Sequence, residues 1–240
     1  MKIAIITQAR VDSTRLPGKV LMKIMQKTIL EYHIERLKWS SLHIVVATTN
    51  KDSDDSIVSL CNDMEIPFFR GSEEDVLARY YECAKANCLD MIIRVTSDCP
   101  LIDGYLIKEA LKTFIMKRPD YLSNIIERSF PRGLGFEIFT FKSLETAFVN
   151  AREKPEREHV TPYIWRNNSQ HFKLAKFKHE CNKSAYRITI DTSGDFLVVK
   201  KLIEEHQADK KGYRDIISIL DNNPEILDLN KAVKQKKYGE

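Results

Sequence analysis

The run Lys2-Ile3-Ala4-Ile5-Ile6-Thr7, continued by Gln8-Ala9-Arg10-Val11-Asp12-Ser13-Thr14-Arg15-Leu16-Pro17-Gly18-Lys19, decides the fold class. Its first part is short, apolar and β-branched, which predicts a buried strand. Its second part sets Arg10, Arg15 and Lys19 among the hydroxyls of Ser13 and Thr14. A loop of this kind at the carboxyl end of a strand suits a polyphosphate, which needs backbone N–H groups together with Arg and Lys. The bland alternative is a solvated basic loop. The loop is not a P-loop, because Ser13 stands at that motif's first glycine and Val20 at its Mg²⁺-binding hydroxyl. No G-x-G-x-x-G occurs in the chain, which argues against a dinucleotide dehydrogenase.

Outward from this run, β-branched segments alternate with helical patterns. Strands are predicted at 2–7, 43–48, 66–70 and 91–96. Between them, Ile29, Leu30, His33, Ile34 and Leu37 share one helical face, and Ser53 is placed to cap a helix bearing Ile57, Leu60, Cys61 and Met64. Val76, Leu77, Tyr80, Cys83 and Ala84 mark the next helix, and Asp103 is placed to cap the one after it. This rhythm predicts an α/β fold: a mostly parallel mixed sheet with helices on both faces and ligands outside the carboxyl ends of the strands. After Asp120 the rhythm breaks. Strands are expected at 121–124, 136–141, 172–177 and 186–190 without intervening helices, as an antiparallel extension or dimerisation arm over 120–190. Helices are expected at 195–206, 213–220 and 224–236. With neither a repeat nor a linker, 1–240 reads as a single domain.

The net charge is +4, and residues 231–240, with four Lys and one Glu, supply +3 of it. A solvated basic tail therefore explains most of the excess, and no aromatic–basic interleaving argues for nucleic acid. The interior is polarised: residues 1–40 carry eight Lys/Arg against three Asp/Glu, and residues 51–82 three against nine. An anion belongs at the positive end. Five cysteines without a C-x-x-C read as reduced thiols in a cytoplasmic protein. The longest stretch free of charged side chains, residues 39–50, is too short to span a membrane.

Two carboxylates stand at predicted strand ends. Asp98 closes Arg94-Val95-Thr96-Ser97-Asp98-Cys99-Pro100, and Asp191 closes Tyr186-Arg187-Ile188-Thr189-Ile190-Asp191. Taken singly, Asp98 reads more readily as a turn residue and Asp191 as readily as a helix cap; paired beside a cationic loop, they suit a metal–nucleotide site. Cys99 has no histidine tied to it in sequence and reads as a buried thiol. Asp52-Ser53-Asp54 has the D-x-D form of metal-dependent glycosyltransferases but reads better as a helix cap. Two further segments are candidate substrate contacts: residues 129–137 with Arg132 and Glu137, and residues 155–163 with His159. Charged surface is the alternative for both.

Together these segments resemble the cytidylyltransferase family of the CMP-Kdo and CMP-acylneuraminate synthetases, most of all its spore-coat polysaccharide biosynthesis protein F branch. The resemblance rests on Gln8-Ala9-Arg10, Ser13-Thr14-Arg15-Leu16-Pro17-Gly18-Lys19-Val20-Leu21, Phe69-Arg70-Gly71-Ser72-Glu73-Glu74-Asp75-Val76-Leu77 with Arg79-Tyr80-Tyr81, Asp98-Cys99-Pro100-Leu101-Ile102-Asp103, Pro131-Arg132-Gly133-Leu134, Glu156-Arg157-Glu158-His159-Val160-Thr161-Pro162-Tyr163 and Asp191-Thr192, in family order over about residues 1–200. It implies a Rossmann-like, nucleotide-diphospho-sugar-transferase-like fold. It also implies a homodimeric enzyme that couples CMP from CTP to a sugar or sugar acid for surface polysaccharide, with Mg²⁺ and release of pyrophosphate. By position, Arg10, Ser13, Arg15 and Lys19 would hold the triphosphate, Asp98 and Asp191 the metal, and Gly71, Ser72 and Arg79 the base and ribose. Lys19, Asp98 and Arg15 would be the catalytic set, with Arg132, Glu137, His159 and Arg187 toward the acceptor. The branch usually has Gly where Asp12 stands and Asp where Gly135 stands. The competing expectations are a glycosyltransferase using a nucleotide-sugar donor and a non-catalytic nucleotide-binding module.

Overall fold

A computed structural model describes residues 1–167 and 169–234. Strand β1 (Ile3–Gln8) leads through a short hairpin, β2 (Lys23–Ile24) and β3 (Lys27–Thr28), into helix α1 (Ile29–Lys38). Then follow β4 (His43–Thr49), α2 (Asp55–Asp63), β5 (Phe68–Gly71), α3 (Val76–Ala86), β6 (Met91–Thr96) and α4 (Gly104–Lys117). The later part holds β7 (Tyr121–Ser123), β8 (Glu137–Thr140), α5 (Phe141–Asn150), α6 (Lys154–His159), β9 (Leu174–Lys176), α7 (Ser193–His206), α8 (Tyr213–Asn222) and α9 (Glu225–Asp228). Among the described residues no helix is long and apolar enough to cross a membrane.

One sheet runs in the order β5-β4-β1-β6-β8-β7-β9. β5, β4, β1 and β6 are parallel, as the βα rhythm predicts. Alternate residues of β1 serve opposite faces: Ile5 packs with Leu106, Ile107, Val199 and Leu202 of α4 and α7, while Ala4 and Ile6 pack with Leu77, Tyr80 and Leu144 of α3 and α5. Both faces are therefore dry, which is why the strand reads as an unbroken apolar run.

Three expectations are corrected. The strands of 120–190 are not free of intervening helices, since α5 and α6 separate β8 from β9; as an antiparallel extension they do prolong the main sheet, β8 antiparallel to β6 and to β7, and β9 parallel to β7. Residues 186–190 are not a strand, since only Arg132 and Arg187 form a bridge. The backbone there is shared between two segments: Ile188 N–H donates to Arg132 O at 2.7 Å and Ile190 N–H to Asp98 O at 2.8 Å, so no single partner strand carries a ladder. The expected helix at 224–236 is confined to α9, with residues 235 and 236 outside the described range, as is the end of the basic tail. Asn230 stops it by donating its side-chain amide to Arg187 O and Asp195 Oδ1, at 3.0 and 2.9 Å.

Asp103 caps α4, as its position predicts, accepting from the N–H groups of Tyr105 and Leu106. Ser53 and Asp54 do not cap α2 through their side chains. Asp54 is buried and instead accepts from Val11 N at 2.7 Å, Thr48 Oγ1 at 3.0 Å and Thr49 N at 3.1 Å. It thereby pins the loop after β1 to the end of β4, and neither oxygen remains open to a metal.

His33 on α1 is fully buried between strand β1 and the loop that follows β6. Its Nε2 meets Thr7 Oγ1 at 2.9 Å and its Nδ1 meets Cys99 O at 2.8 Å. Nδ1 must carry the proton, because a carbonyl only accepts, so Nε2 accepts from the Thr7 hydroxyl. Burial holds this imidazole down to about 4. The unfolded chain binds the proton near its usual pKa of ~6.5, so stability falls as pH drops from ~6.5 toward the folded value. We expect this one group to remove about 3 kcal/mol across that window. Urea unfolding at stepped pH checks it: His33→Asn should be less stable at neutral pH and show a visibly shallower acid slope, and an unchanged slope would refute the assignment.

Candidate active site

The carboxyl ends of β1, β4, β5 and β6 form one rim. Gly18, in the left-handed region at φ 68°, turns the loop after β1 so that the short 3₁₀ turn Lys19–Leu21 buries Lys19 and Val20. The Lys19 ammonium then sits among Asp98 Oδ2 at 2.8 Å, Asp191 Oδ1 at 2.9 Å and Ile190 O at 2.8 Å. Each of its three protons has an acceptor. Arg15 Nη2 adds a second contact to Asp191 Oδ1, at 2.8 Å.

The outer oxygens of the two carboxylates are engaged as well. Asp98 Oδ1 accepts from Thr96 Oγ1 at 2.6 Å, and Asp191 Oδ2 from Arg187 Nη2 at 2.7 Å. Arg187 Nε donates to Asp195 Oδ1 at 2.7 Å, and Asp195 Oδ2 accepts from the N–H groups of Asp191 and Thr192. Burial alone would lower Lys19, but the attraction of Asp98 and Asp191 outweighs it and the ammonium is raised. Burial would likewise raise Asp98, and Lys19 overrides it, holding the carboxyl well below the usual carboxylate range. Lys19 and Asp98 are therefore both charged at neutral pH. Burial pushes the neighbouring Cys99 thiol well up, so it is no nucleophile.

A cavity of about 220 Å³ opens beside this cluster, lined among others by Thr96, Asp98, Arg128, Arg132, Gly135, Glu137 and Asp191. Burial pushes the Arg128 guanidinium down, and nearby Arg132 adds to the effect; Arg132 is itself lowered by burial and by Arg187. Two cations facing one small cavity favour an anionic guest. Glu137 is buried and both its oxygens are taken: Oε2 by Arg94, and Oε1 by Thr161 and by Tyr121 OH at 2.6 Å. It is a wall of the cavity, held by three other segments of the fold. A Cβ at Gly135 would lie 2.8 Å from Ile125 Cγ2, so glycine and Ile125 fit each other there. His159 is half-buried and does not line the cavity.

A second patch lies at the ends of β1 and β5. Gly71 lets Arg79 pack close, since a Cβ would come 3.0 Å from Arg79 Cγ. Arg79 is buried, and its Nε and Nη1 have no hydrogen-bond partner among the described residues. Orphaned guanidinium nitrogens of this kind are rare, and an ordered water or a ligand acceptor satisfies them. Arg10 reaches Glu73 at 3.5 Å, and Lys51 pairs with Glu73 at 2.6 Å and with Asp12 at 3.6 Å. The charge of Asp12 is thus met by Lys51. Ser72 is exposed and accepts from Asp75 N, and Ser13 is half-buried in the loop.

The fold therefore gathers Arg15, Lys19, Asp98, Asp191 and Arg187 in one cluster. It sets Arg132 and Glu137 around the adjoining cavity and groups Arg10, Gly71, Ser72 and Arg79 nearby, while His159 stands behind that cavity within electrostatic reach of Arg94 and Glu137. The sequence reading missed Arg94, Arg128 and Asp195. Arg94 carried a signal, a lone charge in the otherwise apolar run Met91-Ile92-Ile93-Arg94-Val95; Arg128, in a turn-rich segment, carried none.

The family model described as Cytidylyltransferase matches residues 4–237. An uncharacterized protein of Methanocaldococcus jannaschii is 43% identical over 246 residues, covering 100% of this chain and 99% of its own. The spore coat polysaccharide biosynthesis protein SpsF of Bacillus subtilis is 30% identical over 240 residues, covering 96% and 98%. The solved structure of a cytidylyltransferase from Leptospira borgpetersenii serovar Hardjo-bovis superposes with a TM-score of 0.92 at 37% identity, covering 99% of each chain.

The buried Arg94–Glu137 pair makes a separable prediction. Removing one partner strands the other's charge, at about 3–5 kcal/mol. Arg94→Met and Glu137→Leu should each destabilise by that order in urea unfolding, and the double variant by clearly less than the sum. Additive losses would show that the two charges do not depend on each other.

Proposed function

The chain belongs to the cytidylyltransferase family, and from that premise we propose that it transfers CMP from CTP to a hydroxyl of a sugar acid, releasing pyrophosphate, for surface polysaccharide synthesis. The observation that carries this reading is the convergence of Lys19 and Arg15 on Asp98 and Asp191, at the strand-end rim, beside a cavity lined by Arg128 and Arg132. The acceptor oxygen forms a bond to the α-phosphorus, the bond from that phosphorus to the pyrophosphate oxygen breaks, and the hydroxyl proton passes to solvent.

In this reading Arg10, Ser13, Arg15 and Lys19 grip the triphosphate. Gly71, Ser72 and Arg79 take the base and ribose, with the orphaned nitrogens of Arg79 as donors to acceptor atoms of the nucleoside. Arg128 and Arg132 hold the acid group of the sugar. Glu137 shapes that pocket through its fixed position, and Arg187 acts through Asp191, which it orients. Such a site works by positioning and by neutralising charge on the phosphates.

The donor set fits Mg²⁺. Asp98 and Asp191 offer hard carboxylate oxygens that converge on one cation-sized point, shown by the ammonium that bridges them. Among the described residues no third His, Cys, Asp or Glu completes a protein-only cage. That leaves coordination positions for phosphate and water oxygens, the pattern Mg²⁺ prefers. When bound, the ion would neutralise charge developing on the α-phosphoryl and pyrophosphate oxygens. A cytoplasmic location and a homodimer complete the proposal; the five free cysteines support the first and the family resemblance the second.

Pyrophosphate release, screened with the four nucleoside triphosphates against sugar acids and sugar phosphates, tests the reading. CTP with a sugar acid should give pyrophosphate and a CMP-sugar. Nucleoside diphosphate released from a nucleotide-sugar donor would instead make the protein a glycosyltransferase, and CTP binding without turnover a binding module. Asp98→Asn should cut kcat by roughly 10²–10³, the loss of about 3–4 kcal/mol of transition-state contact. Arg79→Met should act on KM for CTP, raising it about tenfold with a smaller change in kcat. Sedimentation at micromolar concentration addresses the dimer, which a fully active monomer would contradict.

A further inference from the structure

All four oxygens of the carboxylate pair are engaged, but in two different ways. The outer ones, Asp98 Oδ1 and Asp191 Oδ2, are turned toward Thr96 and Arg187, which belong to the supporting structure. Only the inner ones, Asp98 Oδ2 and Asp191 Oδ1, converge, and the point on which they converge is filled by the Lys19 Nζ, at 2.8 and 2.9 Å. The Ile190 carbonyl completes the cage at 2.8 Å. A divalent cation held by both carboxylates would need those same inner oxygens. It would then stand within contact distance of the ammonium, where two like charges repel strongly in a partly dry site.

We propose that Lys19 is a built-in placeholder in the divalent-cation position, so that the ammonium and the metal exclude each other, and the metal enters as a polyphosphate draws Lys19 away. Arg15, on Asp191 Oδ1 at 2.8 Å, leaves with it. The inference rests on the reading of Asp98 and Asp191 as the metal-holding pair. It adds an order of events. In the nucleotide-free protein the carboxylates are already neutralised, which keeps the buried pair stable and closed to a bare ion. The phosphates supply the counter-charge that Lys19 and Arg15 need on leaving, so nucleotide and metal are taken up together. Lys19 thereby serves two sites in turn, first the carboxylates and then the phosphates.

The test is Mn²⁺ titration by electron paramagnetic resonance, without nucleotide, on wild type, Lys19→Gln and the double variant Lys19→Gln/Asp98→Asn, with melting temperatures alongside. Lys19→Gln should bind Mn²⁺ at least about tenfold more tightly than wild type, equivalent to ~1.4 kcal/mol. Mn²⁺ should raise its melting temperature, and both effects should vanish in the double variant. Should Lys19→Gln melt too low to titrate, Lys19→Met, with the same side-chain length, takes its place. Equal affinity in wild type and variant, with Mn²⁺ bound, would overturn the placeholder while leaving the metal reading intact. Tighter binding that survives Asp98→Asn would put the ion elsewhere and overturn it too. No protein-dependent Mn²⁺ signal in any form, even with CTP, would overturn the metal reading and the placeholder together.

Discussion

Lys19 brings one positive charge to the meeting point of three segments far apart in the chain: the loop after β1, the end of β6 and the turn before α7. The ammonium is tolerated in a mostly buried place because Asp98, Asp191 and the Ile190 carbonyl supply three acceptors. Conversely, the two carboxylates are tolerated side by side because the ammonium stands between them. Each half stabilises the other, so the position of each loop depends on the other two.

The surrounding structure is organised to keep that meeting point in place. Behind Asp191, the fully buried Asp195 accepts from Arg187 and from the backbone of the turn, while Asn230 ties it to the end of the chain. Behind Asp98, neutral His33 holds the Cys99 carbonyl. Below that loop, buried Arg36 donates to the carbonyls of Ile102 at 2.7 Å and Leu101 at 3.2 Å and stacks on Trp39 at 3.9 Å. Asp54 pins the start of the cationic loop through Val11. These are polar contacts between elements, each satisfying a buried group that would otherwise be costly.

The site joins this charge cluster to two regions of different character. At the ends of β1 and β5, Arg79 keeps two buried nitrogens without acceptors among the described residues, which the fold tolerates beside the acidic residues Asp54 and Glu73. Around the cavity, Arg94 and Glu137 form a pair that stiffens the wall, and Arg128 and Arg132 present the positive surface.

Much of this was written locally in the sequence. Apolar β-branched runs separated by helical periodicity determined the parallel half of the sheet, because strands buried on both faces need such residues whatever their neighbours. The cation-rich loop and the two acidic strand-end motifs marked the site, because such charge is rarely placed at a strand end without a partner. Only the tertiary structure decided how these residues meet. Residues 186–190 look like a strand by composition, yet their hydrogen bonds go to two separate segments, so they form a strut that carries Asp191 to Lys19. Glu137 reads as a substrate contact, yet Arg94, Tyr121 and Thr161 consume its oxygens. Asp54 reads as a cap, yet it serves a loop some forty residues upstream. The physical reason is common to all three: periodicity and capping are encoded within a few residues, whereas the partner of a buried polar group is set by which distant segments the packed sheet brings within hydrogen-bond reach.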